Sequence, residues 1–273
     1  MKNGIVATAL QTIQLEAKSI ADLAAFLDHS FPDAIELLNN CKGRLVFSGI
    51  GKSALIAQKI VATLNSTGTP SLFMHAADAI HGDLGVVQKD DIVLILSKSG
   101  ESPEIKALVP YIKNFGNKLI AVVGNTSSYL ANEADYILNT TVSLEACPNN
   151  LAPTSSTTAA LALGDALAVA LLEMRDFDSK DFAQLHPGGS LGKQLYLKVE
   201  DVCAKHEIPQ VKAENNLKEV IFEISSKRLG ATAVVDANNE LLGIMSPFLR
   251  IILSPVFNFV SAITLSFSLF LSF

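Results

Sequence analysis

The chain has 273 residues, with 21 Lys and Arg against 27 Asp and Glu for a net charge of −6, five histidines and three cysteines. That length holds a domain of about 200 residues with material left over, and the acidic balance, without a Lys/Arg stripe, excludes a nucleic-acid backbone as the main partner. Cys41, Cys147 and Cys203 are odd in number and far apart, with no Cys-x-x-Cys or Cys/His ligand spacing; this excludes a disulfide framework and a structural zinc site and fits a reducing cytoplasm.

Ile5, Ala9, Ile13, Ala17, Ile20, Leu23 and Leu27 recur every three or four residues, which predicts one amphipathic helix from Gly4 to Leu27 and leaves no uninterrupted apolar run for a signal peptide. A shorter helix from Pro32 to Leu38 precedes a break at Gly43 and a strand at Arg44 to Phe47. Ser48-Gly49-Ile50-Gly51-Lys52-Ser53 follows, then a helix to about Leu64. This is not a P-loop, because Val46 stands where the first glycine is required; nor is it a dinucleotide fingerprint, because Ala54 replaces the third glycine. A second strand, Ser71 to Met74, leads into a turn holding His75, Asp78, His81 and Asp83.

Ile92-Val93-Leu94-Ile95-Leu96 is wholly apolar and reads as a strand buried on both faces. Ser97-Lys98-Ser99-Gly100-Glu101-Ser102-Pro103-Glu104 comes next, with Ser102 suited to a helix N-cap, Pro103 to the first turn and Glu104 to the positive end of the helix dipole. Such a turn is serine-rich for capping reasons alone. Three serines crowded around one glycine, at a place where free backbone N–H groups point outward, also suit a phosphate dianion.

A helix to about Phe115, a strand at Lys118 to Val123, a short helix at Ser128 to Ala134 and a strand at Tyr136 to Leu138 continue the alternation. The pattern predicts an α/β fold with a doubly wound parallel sheet, whose ligands sit beyond the carboxyl ends of the strands. A polar connection then carries Glu145-Ala146-Cys147-Pro148 and the hydroxyl cluster Thr154 to Thr158 into a long Ala/Leu helix, Ser155 to Met174, another candidate anion site. From Val199 to Met245 the texture changes to a small α+β unit with a hairpin at Ala231 to Met245. The expected organisation is residues 1–195, 196–246 and an apolar tail, 247–273.

Read together, Gly49-Ile50-Gly51-Lys52-Ser53, Ser66-Thr67-Gly68-Thr69-Pro70, His81-Gly82-Asp83-Leu84-Gly85, Ser97 to Ser102, Glu145 to Pro148, Leu151 to Thr158 with Gly164 to Ala168, and His186-Pro187-Gly188-Gly189 resemble the sugar isomerase (SIS) fold. Within that fold the set is similar to the D-arabinose 5-phosphate isomerases, which feed synthesis of the eight-carbon acid Kdo and so of lipopolysaccharide. The resemblance implies catalytic roles for Lys52, Glu104, Glu145 and His186. It implies substrate contacts from Ser48, Ser53, Gly68, Thr69, His75, His81, Ser97, Ser99, Gly100, Ser102, Thr154, Ser155, Ser156 and Thr157. It further implies a homotetramer whose sites borrow side chains from a neighbour, and makes residues 196–246 the start of a paired CBS module. Members of that family bind zinc at the position of His75, which makes zinc an optional, inhibitory ligand; no cofactor is required.

Isomerising ribulose 5-phosphate through an enediol calls for a carbon base, an acid for the carbonyl or ring oxygen, and a cation for the oxyanion. His186 or Glu104 is expected as the base, Glu145 as a holder of hydroxyls or an aid to ring opening, and Lys52 as the cation. The structural alternatives are a first-turn dipole partner for Glu104 and a turn residue for His186; the functional alternatives are a non-catalytic sugar-phosphate sensor and an isomerase of another sugar phosphate. The tail from Ile251 to Phe273 carries no charge and has the length of a membrane span. Because it abandons the small unit midway and has only Arg250 beside it, a shifted reading frame or a truncated gene fits better than an anchor.

Overall fold

Strands that are apolar at every position can be satisfied only between two layers of helices. The computed structural model describes residues 2–189, 192, 193, 195, 198, 201, 207–246 and 250–252, and the chain divides into two compact units, Met1–Leu195 and Tyr196–Phe273. In the first, β1 (Leu45–Gly49), β2 (Ser71–His75), β3 (Ile92–Ser97), β4 (Lys118–Val123) and β5 (Tyr136–Asn139) form a parallel sheet in the order β2-β1-β3-β4-β5. Between and around them run α1 (Lys2–Asp22), α2 (Ser30–Asn39), α3 (Lys52–Ser66), α4 (Ala76–Ala79), α5 (Pro103–Phe115), α6 (Tyr129–Glu133), α7 (Ser155–Met174) and α8 (Ser179–Leu185).

The two-residue period of the strands sorts the core. Leu45, Phe47, Ile92, Leu94, Leu96, Ile120 and Val122 pack with Leu38 of α2, Ile60 and Leu64 of α3 and Leu163, Leu167 and Leu171 of α7. Val46, Val93, Ile95, Leu119, Ala121 and Val123 face the other way, onto Ala76 and Ala79 of α4, Leu108 and Ile112 of α5 and Leu130 of α6. The sheet is therefore doubly wound, as its sequence pattern predicts. Among the described residues α7 is the one helix long and apolar enough to cross a membrane, but 44% of it is buried in the protein and it forms part of this core.

Some elements differ from the expectation. The first helix ends at Asp22, and a 3-10 turn, Leu23–Phe26, follows it. Its apolar stripe is only partly covered: Leu23 is buried, whereas Ile5, Val6, Leu10 and Ile13 are exposed. The histidine turn contains α4 and a 3-10 turn, Asp83–Val86. Helix α8 has no counterpart in the sequence reading; its signal is the capping box formed by Asp178 and Asp181.

The second unit has β6 (Gln210–Lys212), α9 (Leu217–Lys227), β7 (Thr232–Val235), β8 (Leu241–Met245) and β9 (Arg250–Ile252), in the sheet order β6-β7-β8-β9. Val211, Val220 and Ile224 form its small core with Val234 and Met245. The expected hairpin is β7 and β8. The apolar tail does not simply stand apart: Arg250–Ile252 pair antiparallel with Gly243–Met245. The remainder of that tail, 247–249 and 253–273, lies outside the described residues.

At Gly164, α7 packs tightly on α3, since a Cβ there would overlap the Ile60 side chain. Gly164→Ala is expected to lower unfolding free energy by about 1–3 kcal/mol, measured as an earlier urea midpoint. The added cost should shrink when Ile60 is shortened to Val in the same chain.

Candidate active site

In a parallel sheet all strands end at one edge, and where the winding reverses, here between β1 and β3, the loops diverge and leave a crevice. A cavity of about 280 Å³ opens at that point, lined by Ile50, Lys52 and Ser53 after β1, by Ser97, Lys98, Ser99 and Ser102 after β3, and by Val122, Thr140, Pro153, Ser156 and Thr157, among others. Lys52 is the first residue of α3 and follows Gly51, whose φ of +60° suits glycine. Seven of the sequence-predicted residues thus share this cavity: Lys52, Ser53, Ser97, Ser99, Ser102, Ser156 and Thr157.

The loop after β3 is held in shape from within and from α6. The Ser97 hydroxyl accepts a bond from Gly100 N at 3.0 Å, and the Ser99 hydroxyl one from Glu101 N at 3.3 Å. Gly100, at φ +65°, lies flush against Ser128, and any Cβ would overlap that side chain. Leu130 N donates to Gly100 O at 3.1 Å and Tyr129 N to Glu101 Oε1 at 2.6 Å. Ser102 occupies the N-cap position of α5 as expected, yet its hydroxyl makes no capping bond. Pro103 has no N–H and Ile105 N bonds Ser102 O at 3.1 Å, so the hydroxyl of Ser102 and the N–H of Glu104 are the groups at this helix start that suit an anion.

Glu145 is the principal correction. Its side chain is fully enclosed, and its carboxylate accepts from Thr154 N at 2.8 Å, Ser156 N at 3.1 Å, Thr154 Oγ1 at 3.2 Å and the Ser156 hydroxyl. Lys98 Nζ completes the set at 2.7 Å from Oε1. Burial alone pushes a carboxyl up, but here Lys98, Ser156 and Thr154 outweigh it and hold the group down at about 2. With its side chain enclosed, Glu145 is not among the residues that line the cavity. It is the anion that the N-terminus of α7 binds, so the Thr154 to Ser156 cluster expected to receive a ligand is largely occupied by the protein's own side chain. Lys98, absent from the sequence-predicted set, is brought into the cavity by the same contact; its signal was a cation standing inside a serine-rich anion loop.

The other expected residues lie elsewhere in the chain. Ser48 and Ser155 are wholly buried with hydroxyls that make no hydrogen bond, and neither lines the cavity. Gly100 contributes shape rather than a lining surface, and Thr154 is spent on Glu145 and on Ala146 N. Glu104 is half-buried in the first turn of α5 and also outside the lining. His81 is exposed after α4. His75 Nδ1 is buried and makes no hydrogen bond, with an Asp78 carboxylate oxygen at 3.4 Å. Two donors fall short of a four-coordinate zinc set, and among the described residues no three His, Cys, Asp or Glu side chains gather to hold a metal.

Gly68, Thr69 and His186 form a second group at the opposite edge of the sheet. Gly68 and Thr69 precede β2, and the length of a five-residue strand, about 16 Å, separates them from the carboxyl edge. Arg175 bonds Gly68 O at 3.3 Å and Thr69 Oγ1 at 2.9 Å, while Phe177 and Leu185 pack at Gly68. His186 directly follows Leu185; its ring stacks on Phe182 at 3.9 Å and its Nδ1 bonds the Phe182 carbonyl at 2.8 Å. A carbonyl can only accept, so Nδ1 carries the hydrogen and Nε2 of the neutral ring keeps its lone pair.

The SIS domain family matches residues 37–170. Arabinose 5-phosphate isomerase KdsD of Pseudomonas aeruginosa is 51% identical over 240 residues, 88% of this chain and 74% of that protein. Arabinose 5-phosphate isomerase KpsF of Escherichia coli is 45% identical over 243 residues, 89% of this chain and 74% of that protein. An E. coli protein solved in complex with arabinose 5-phosphate superposes with a TM-score of 0.66 at 40% identity, covering 68% of this chain and 100% of that one. The chain therefore belongs to the arabinose 5-phosphate isomerase family, built on a SIS domain.

Proposed function

We propose that this protein is an aldose–ketose isomerase that interconverts D-ribulose 5-phosphate and D-arabinose 5-phosphate through an enediol. The observation that carries the reading is the neighbour solved with arabinose 5-phosphate, the whole of which aligns with this chain at 40% identity. The chemistry of the cavity is consistent with it. Hydroxyls of Ser53, Ser97, Ser99, Ser102 and Thr157 surround a space of sugar-phosphate scale beside the start of α5.

Lys52, which lines the cavity from the loop after β1, is the cation for charge developing on the enediolate oxygen. The carbon base is His186 or Glu104, and the free Nε2 of His186 favours the histidine. Because His186, Gly68 and Thr69 lie at the other edge of the sheet, they reach a cavity only as contributions from another copy. We therefore read the enzyme as a homo-oligomer, a tetramer by resemblance, in which one chain supplies Lys52 and the serine loop and a neighbour supplies the histidine. The exposed apolar stripe of α1 gives such an assembly a surface to bury.

The proposed chemistry needs acids, bases and cations, and no metal. Zinc at His75 would be an inhibitory ligand completed by donors from outside this group. Free thiols at Cys41 and Cys147 fit a cytoplasmic enzyme. The second unit is read as a partial CBS module with no part in the chemical step.

Supplied with ribulose 5-phosphate, fructose 6-phosphate and hexulose 6-phosphate in turn, the protein is expected to turn over the first with a kcat/KM at least tenfold above the others, within the range one lost specific contact allows. In D2O the product should carry solvent deuterium at C2. Preferential turnover of a hexose phosphate, or none at all, would overturn the reading.

Shared sites make a second expectation. Lys52→Ala and His186→Ala proteins should each be nearly inactive alone. After unfolding and refolding as an equal mixture they should regain about a quarter of wild-type activity, the share of sites receiving an intact contribution from both chains when subunits pair at random. No recovery on mixing would return both residues to one chain.

A further inference from the structure

We propose that Lys98 is a ligand of the substrate phosphate, held in place from behind by Glu145. This rests on the reading of the cavity as a sugar-phosphate site. Lys98 stands between Ser97 and Ser99 in the serine loop, and its backbone carbonyl accepts from Gly124 N at 3.1 Å, which ties its Cα to the end of β4. Its side chain lines the cavity with 49% of its surface exposed, while Nζ is fixed 2.7 Å from the enclosed Glu145. An ammonium has three donors. One is used by Glu145, and two remain on a half-exposed side chain that lines the cavity.

Neutralising Glu145 does not use up the lysine. Glu145 takes its other hydrogen bonds from the backbone N–H groups and hydroxyls of Thr154 and Ser156, and its ion pair with Lys98 occupies one of the three ammonium donors. What the contact does achieve is orientation. A flexible four-carbon stem is pinned by a carboxylate that cannot follow it, and the charge stands ready over the loop whose hydroxyls take the phosphate. Lys98 and Lys52 enter the cavity from the loops after β3 and β1, which divides their work: one holds the anion that stays, the other meets the charge that develops.

The test uses the full chain with Lys98→Met and Lys98→Arg substitutions, calorimetric titration with inorganic phosphate and with ribulose 5-phosphate, and steady-state kinetics. Lys98→Met should weaken binding of both about tenfold or more, the loss expected for one charged hydrogen bond. KM should rise by a similar factor while kcat stays within a few fold, and Lys98→Arg should restore most of the affinity. Unchanged affinity in a folded Lys98→Met protein overturns the proposal, and so does a loss confined to kcat, which would assign the lysine to the reacting carbons. If the wild type binds phosphate through Lys98 but turns over no pentose phosphate, the isomerase reading fails and this one stands. A measurement on the unaltered protein guards against misfolded variants: inorganic phosphate should slow acetylation of Lys98 several fold, and equal labelling with and without phosphate sinks the proposal.

Discussion

A parallel sheet obliges the helices that follow its strands to start at the same edge, and each start leaves N–H groups without helical partners. In this protein α3, α5 and α7 all begin around one crevice, so the edge is electropositive before any lysine is considered. The rest of the structure follows from how that potential is used. The start of α5 carries no side-chain cap, and the start of α7 is closed by Glu145.

Placing an ionised carboxylate in the interior is unfavourable unless its oxygens are fully bonded. Glu145 meets that condition with four donors from the first residues of α7 and a fifth from Lys98. The return lies in geometry more than in stability. The carboxylate joins the 145–154 connection, the start of α7 and the β3 loop at one point.

The fold was legible because its signals were local and redundant. The apolar run Ile92 to Leu96 could only be a doubly buried strand, and strand and helix alternated too regularly for another architecture. That the serine loop would stand at a strand end was legible because its residues are consecutive in sequence, whereas the role of Lys52 rests on the family resemblance. Two things were not. The depth of Glu145 depends on how a long polar connection folds back, which periodicity does not encode. The separation of Gly68, Thr69 and His186 from the serine loop depends on strand polarity, since residues before a strand and residues after it read alike as turns. Helix α8 was missed because seven residues give too short a period, and its Asp178 and Asp181 caps were the available cue.

The setting of Gly100 against Ser128 reaches beyond packing. Since α6 already grips the β3 loop through Ser128, Tyr129 and Leu130, the loop loses its conformational freedom when the chain folds and has little left to lose when an anion arrives. An anion bound there as proposed would associate without a slow ordering phase of this loop.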